Sequence, residues 1–239
     1  MITMLDFTLN NHPKLTKLLI GEESLPLLII DSFAHKPDDL VSHVGDGSSF
    51  KADRNNFYPG KRSAAPQAYS EEICKKYLPL FKSHFGFDKA QRAKTLMSAF
   101  AISDRAPEHL KPIQMLPHFD TTNMNQLAVV HYLCKPEHGG TSFYRHRSSA
   151  FETITQERLA SYGHQLKKEA IAHQLHENPC YMGESNTMFE RLHSVDACMN
   201  RAVIYPSRML HSGNINPLLG LSSDPRVGRL TIGSLILIE

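Results

Sequence analysis

In the segment LPHFDTTN, residues 116–123, His118 and Asp120 stand two positions apart with Phe119 between them. On an extended chain, side chains at i and i+2 leave the same face, so an imidazole and a carboxylate would share one small space. Such a pair can contribute to holding a divalent ion but makes a poor site alone, since these ions want at least three protein ligands. A third candidate stands far downstream in RAVIYPSRMLHSGNI, where an apolar strand leads into what reads as a loop carrying His211. Two imidazoles and one carboxylate on one face of an octahedron leave the remaining positions open to other molecules. By itself H-x-D is unspecific, and its weight depends on what surrounds it.

The closing segment GRLTIGSLI supplies the next feature. Alternation puts Arg229, Thr231 and Gly233 on one strand face and Leu230 and Ile232 on the other. An inward-facing guanidinium needs an anion, because an unpaired buried charge is costly, and a planar guanidinium grips a carboxylate through two parallel hydrogen bonds. The competing reading is an edge-strand arginine pointing to water. Arg226, in SSDPRVG, follows a proline and reads as a turn residue. HGGTSFY opens a strand with two glycines suited to a tight turn, and the preceding HYLC ends with Tyr132, whose hydroxyl is available to an acid or to the core.

The elements that must position these groups follow from periodicity. LPLLIID (25–31) reads as a buried strand, and AHKPDD begins a short helix at Pro37. Residues 45–67 are rich in Gly, Ser, Asn and Pro and read as a long loop. YSEEICKKYLPLFKSHFG has helical spacing at Ile73, Tyr77, Leu80, Phe81 and Phe85, with Gly86 as its stop and Pro79 as a point where it kinks or ends early. From Lys94 the period becomes two. KTLMSAFAIS, LPHFD, NQLAVVHYLC, GGTSFYR, MFERLHSV, NRAVIYPS and GRLTIGSLILIE all read as strands. A charged helical stretch, TQERLASYGHQLKKEAIAHQLHENP, interrupts them. Its His173 and His176 are spaced for one helix face, but with no carboxylate beside them they read as solvated. The pattern predicts a mainly β, α+β chain: an N-terminal α/β segment over 1–94, then a core over 95–239 with an insertion at about 147–200. A double-sheet jelly roll would let His118, Asp120 and His211 converge.

Composition narrows the classes. The chain has 239 residues, with 26 basic and 24 acidic side chains that nearly cancel. No run of like charges suggests nucleic-acid or membrane-surface binding. The start lacks a secretory pattern and no stretch is long and apolar enough for a membrane span, so a cytoplasmic protein is expected. The four cysteines, Cys74, Cys134, Cys180 and Cys198, are scattered and read as idle thiols. Histidine is the unusual residue, 14 of them in a chain without tryptophan. Most of these must be incidental to any site.

The pieces PHFD, AVVHYL with GGTSFY, AVIYPSRMLHSGN and GRLTIGS, in that order, resemble the 2-oxoglutarate- and Fe(II)-dependent oxygenases, and among them the prolyl-hydroxylase-like branch. The resemblance covers roughly residues 95–239 and implies a double-stranded β-helix. It implies that His118, Asp120 and His211 bind Fe(II), and that 2-oxoglutarate chelates the iron and directs its distal carboxylate to Arg229, helped by Thr231 and Tyr132. It further implies that O2 is the oxidant and that hydroxylation of a small molecule, amino acid or peptide accompanies conversion of 2-oxoglutarate to succinate and CO2. Related halogenases lack the carboxylate, so Asp120 argues against halogenation. Many members of the branch carry a lysine where Arg229 stands here. A metal-holding jelly roll that is not an oxygenase, such as an isomerase or a binding module, is the alternative. The loop 45–67 and the insertion 147–200 are expected to line the mouth of the site, and Arg145, His146 and Arg147 are either substrate contacts or a solvated strand end.

Overall fold

A computed structural model describes residues 5–52 and 58–239. Residues 53–57 of the expected loop lie outside the described residues. A seven-stranded antiparallel sheet is formed by β1 (Lys14–Ile20), β2 (Leu25–Asp31), β3 (Gly60–Ala64), β4 (Ala93–Ser103), β5 (Gln126–Tyr132), β8 (Arg201–Pro206) and β10 (Leu230–Ile238), in the order β1-β2-β8-β5-β10-β4-β3. A smaller antiparallel sheet has the order β7-β6-β9, from β6 (Thr141–His146), β7 (Phe189–Val195) and β9 (His211–Gly213). Three α-helices are described: α1 (Pro37–Val44), α2 (Gln67–Phe85) and α3 (Leu159–Ala172). The chain is mainly β, as its pattern predicts. None of the described helices is long and apolar enough to cross a membrane.

Alternation along the central strands explains the layering. On β5, Leu127 and Val129 join Leu28, Ile30, Ile204 and Ile232 in the core that Ile73, Tyr77 and Phe81 of α2 complete. Their neighbours Ala128 and Tyr132 face the other way, toward Val203 and Tyr205 of β8, Phe143 of β6 and Val195 of β7. Helix α2 therefore covers one face of the large sheet and the small sheet packs on the opposite face. Burial of one such aliphatic or aromatic side chain stabilises the fold by roughly 1.5–3 kcal/mol, which is how α2 continues through Pro79 to Phe85 instead of ending there. It stops at Gly86, whose φ of 77° is left-handed.

Several local expectations are corrected. Residues 60–64, expected in a loop, form edge strand β3, because its backbone pairs with β4 from Gly60↔Ser103 to Ala64↔Ala99. LPHFD is not a regular strand; His118 makes a single bridge to His211. His211 in turn begins β9 and does not sit in a loop. In the stretch Arg145–Arg147 the first two residues are neither free nor solvated, while Arg147 is exposed. Arg145 pairs with Glu152 at 2.6 Å, His146 is fully buried between Ser149 and Glu169, and Arg147 donates to the Asn186 carbonyl.

Candidate metal centre

The convergence of His118 and His211 is a backbone event. Each amide donates to the other's carbonyl at 2.8 Å, so the short 118 segment adds one rung beside β9, and β9 pairs on its other side with β6 through His211↔Phe143. The two imidazoles are thereby set side by side, with ring centroids 4.3 Å apart. Asp120, two residues on, is fixed by its amide bond to the Ser207 carbonyl at 2.8 Å, and its Oδ2 lies 3.9 Å from His211 Nε2. One ligand atom from each of His118, Asp120 and His211 lies within 4.8 Å of the others. Among the described residues no other His, Cys, Asp and Glu group is arranged to hold a metal; His173 and His176 are exposed. The four cysteines are free thiols.

The protonation states suit a metal. His211 Nδ1 lies 2.9 Å from the Met209 carbonyl. A carbonyl only accepts, so Nδ1 carries the proton and the Nε2 lone pair faces Asp120 and His118. Burial pushes the His211 imidazole down to about 4. His118, exposed at the rim of the cluster, is lowered too, by desolvation among the surrounding protein atoms and then by the His211 ring, against the opposing pull of Asp120. Both rings are therefore neutral near pH 7 and offer lone pairs. Asp120 is open to solvent; desolvation by the surrounding protein raises its carboxyl, opposed by His118 and then Arg62, and among the described residues its oxygens accept no hydrogen bond. The Tyr205 ring packs edge-on against His211 at 4.8 Å.

Behind the cluster lies a cavity of about 130 Å3, room for several waters or a small organic acid. Its floor is small, with Ala99, Ala101, Ala128 and Gly233, and a Cβ added to Gly233 would meet nothing within 4 Å. Arg229 and Thr231 line it, as alternation predicts. Arg229 immediately precedes β10 and is 4% exposed. Its Nε and Nη2 donate to the carbonyls of Gly139 and Gly140, each at 2.9 Å. Those two glycines are required for a closer reason than a tight turn. A Cβ at Gly139 would sit 1.5 Å from the Asn214 carbonyl oxygen, and one at Gly140 would sit 1.9 Å from that of Val195. Among the described residues Arg229 pairs with no carboxylate. Arg226 does not line this cavity; it is exposed and paired with Asp224 at 2.9 Å.

Tyr132 lies one layer back from its expected place. Its hydroxyl donates to Thr141 Oγ1 at 2.6 Å, and Thr141 is the residue that forms the cavity wall. Burial pushes the Tyr132 phenol up to about 12, so it remains a donor. Sequence reading missed Thr141, although it follows the glycine pair directly, and missed Tyr58 and Arg62, which line the cavity from the expected loop. Tyr205 is a further lining residue without a sequence signal, since on β8 it reads as one more core aromatic.

Over residues 11–236 the sequence matches the family described as "Family of unknown function (DUF6445)". No curated protein matches it. Among solved structures, that of HygX from Streptomyces hygroscopicus with nickel, 2-oxoglutarate and hygromycin B bound is similar with a TM-score of 0.48 and 11% identity, over 90% of this chain and 84% of that one. AviO1 from Streptomyces viridochromogenes Tue57 is similar with a TM-score of 0.40 and 10% identity, over 84% of this chain and 80% of that one. Likeness at this level carries no argument about chemistry, which rests on the geometry of the site.

Proposed function

The chain belongs to the DUF6445 family, and from that premise we propose that it is an oxygenase using Fe(II), 2-oxoglutarate and O2 to hydroxylate a small molecule, amino acid or peptide. The observation that carries this reading is a His/Asp/His cluster and a buried guanidinium without a carboxylate partner in one cavity. The two facing sheets are read as a double-stranded β-helix, the frame that lets sequence-distant strands meet. The assignment is kept at the level of the superfamily, because the comparisons offer nothing for the prolyl-hydroxylase-like branch.

The donor set fits the proposed ion. Two neutral imidazoles and one carboxylate, with positions left open, suit non-haem Fe(II), and the Nδ1 contact of His211 to a carbonyl is the kind of support that fixes a ligating ring. When bound, iron supplies O2 activation coupled to oxidative decarboxylation of 2-oxoglutarate. The protein's own groups do the rest by position. Arg229, clamped by two carbonyls through Nε and Nη2, keeps Nη1 without a partner among the described residues and would bind the distal carboxylate, with Thr231 and Thr141 beside it. Tyr132 holds Thr141 in place from behind. The alanines and Gly233 leave room for a slender diacid, while Tyr205 closes one side.

Purified protein given Fe(II), O2 and 2-oxoglutarate with a broad panel of small acids, amino acids and peptides should form succinate, dependent on all three and abolished in His211→Ala. Protein that binds neither iron nor 2-oxoglutarate contradicts the reading. Uptake of metal with no affinity for 2-oxoglutarate would leave a metal-holding β protein of another kind.

A further inference from the structure

The cavity contains a second cation that the reaction above does not use. Arg62 lies half-buried on edge strand β3 and lines the cavity that His118, Asp120 and Arg229 share. Its guanidinium stands over the Tyr58 ring, 4.9 Å from the centroid. Among the described residues it makes no ion pair and no side-chain hydrogen bond, whereas the adjacent Lys61 is paired with Asp104 at 2.8 Å. Register fixes its direction. Arg62 is opposite Ala101, which is opposite Thr231, and directly paired residues project to the same face. Only an alanine separates the Arg62 position from the strand that follows Arg229.

Charge accounting indicates what Arg62 lacks. A ligating imidazole is neutral, so the formal charges facing the cavity are the Asp120 carboxylate and the Arg62 and Arg229 guanidiniums. A divalent ion and a doubly charged 2-oxoglutarate cancel, so the loaded site would keep one positive charge in excess. Leaving a cation unpaired in a partly desolvated cleft is costly. A carboxylate corrects the excess, whereas a phosphate group at about −1.5 to −2 overshoots it.

We propose that Arg62, stacked on Tyr58, binds a carboxylate of the primary substrate, which is a small carboxylic acid or amino acid entering at the β3 edge of the cavity. This rests on the oxygenase reading and goes beyond it by giving the substrate class. The two arginines are not interchangeable. Arg229 is enclosed and clamped by carbonyls, as suits a co-substrate common to every turnover, while Arg62 is on the sheet edge, where an exchanging substrate arrives.

Protein loaded with Zn(II), which is redox-inert, and 2-oxoglutarate is probed by saturation-transfer NMR with 3-phenylpropionate and with its neutral amide. The acid should bind and the amide should not, and Arg62→Gln should weaken the acid by about ten- to a hundredfold, the loss expected for a hydrogen-bonded charge. Arg62→Gln should meanwhile keep calorimetric affinities for Zn(II) and 2-oxoglutarate within about threefold of wild type, because Arg62 ligates neither in the proposed arrangement and is the least of the influences on Asp120. Equal binding of acid and amide, or undiminished acid binding by Arg62→Gln, overturns the inference and leaves the metal and co-substrate assignment standing. Loss of 2-oxoglutarate by Arg62→Gln but not by Arg229→Ala also overturns it, by giving Arg62 the co-substrate. Wild-type protein that takes up neither Zn(II) nor 2-oxoglutarate removes the oxygenase reading and this inference with it.

Discussion

Buried histidines occur here in two kinds of surroundings. His131, on β5, is satisfied at both ring nitrogens. Its Nδ1 meets the Tyr69 hydroxyl at 2.9 Å and its Nε2 meets Asn200 Oδ1 at 3.1 Å. Asn200 is itself oriented by the Ala34 amide and carbonyl, so Nε2 donates and Nδ1 accepts. His146 likewise has Ser149 on one nitrogen and Glu169 on the other. His211 is different, with Nδ1 bound to a carbonyl and Nε2 directed at Asp120 and His118. A buried imidazole satisfied at both nitrogens braces the fold. One whose lone pair faces other ligand-type atoms fits the ligand role proposed for it.

The contrast breaks most clearly at the metal. His211→Ala should lower divalent-ion affinity by more than the roughly hundredfold cost of losing a mere supporting contact, with the thermal midpoint of the metal-free protein little changed; equilibrium dialysis and a melting curve check both. His131→Ala should do the reverse, costing about 2–4 kcal/mol of stability through a cavity and two orphaned partners while metal affinity holds. Equal metal loss in both variants would erase the distinction.

Gly233→Leu sharpens the same division at the cavity. The position takes a Cβ without collision, so the fold should survive, and the added side chain would fill the space in front of Arg229. Calorimetry should show 2-oxoglutarate weakened by about tenfold or more with metal affinity retained.

A separate effect is a slope with pH. Burial, the first cause in each case, lowers His131 and His211 to about 4 from an ordinary 6.5. Between those values the unfolded chain binds protons that the folded chain refuses, so stability of the metal-free protein rises with pH. The contribution is complete above about 6.5 and drains away as pH falls toward 4. Urea midpoints measured between neutral pH and about pH 5 should fall, and His131→Gln should flatten part of that fall.

How much of this could be read beforehand depended on whether side chains or backbone made the decision. β2, α2, β5 and β10 carry their apolar residues at helical or alternating spacing, and their places followed from that. β3, GKRSA, has no large apolar residue; it is a strand because β4 offers an edge, a contact invisible in its own composition. Arg62 went unnoticed with it. β1, KLTKLLI, places Leu15 and Leu19 toward solvent and gave no clear amphipathic signal. Within the site, the residue types of the three proposed ligands and the face shared by Arg229 and Thr231 were legible. The depth of Tyr132 was not, because alternation gives the face of a strand and not which neighbouring strand, here β6 with Thr141, stands between a side chain and the cavity.

The central claim is tested most directly by a crystal structure of the protein soaked anaerobically with Fe(II) and 2-oxoglutarate. The account predicts one ion bound by His118, Asp120 and His211 Nε2, with 2-oxoglutarate on that ion and its far carboxylate against Arg229. An ion bound elsewhere, or a ligand that leaves Arg229 untouched, would contradict it.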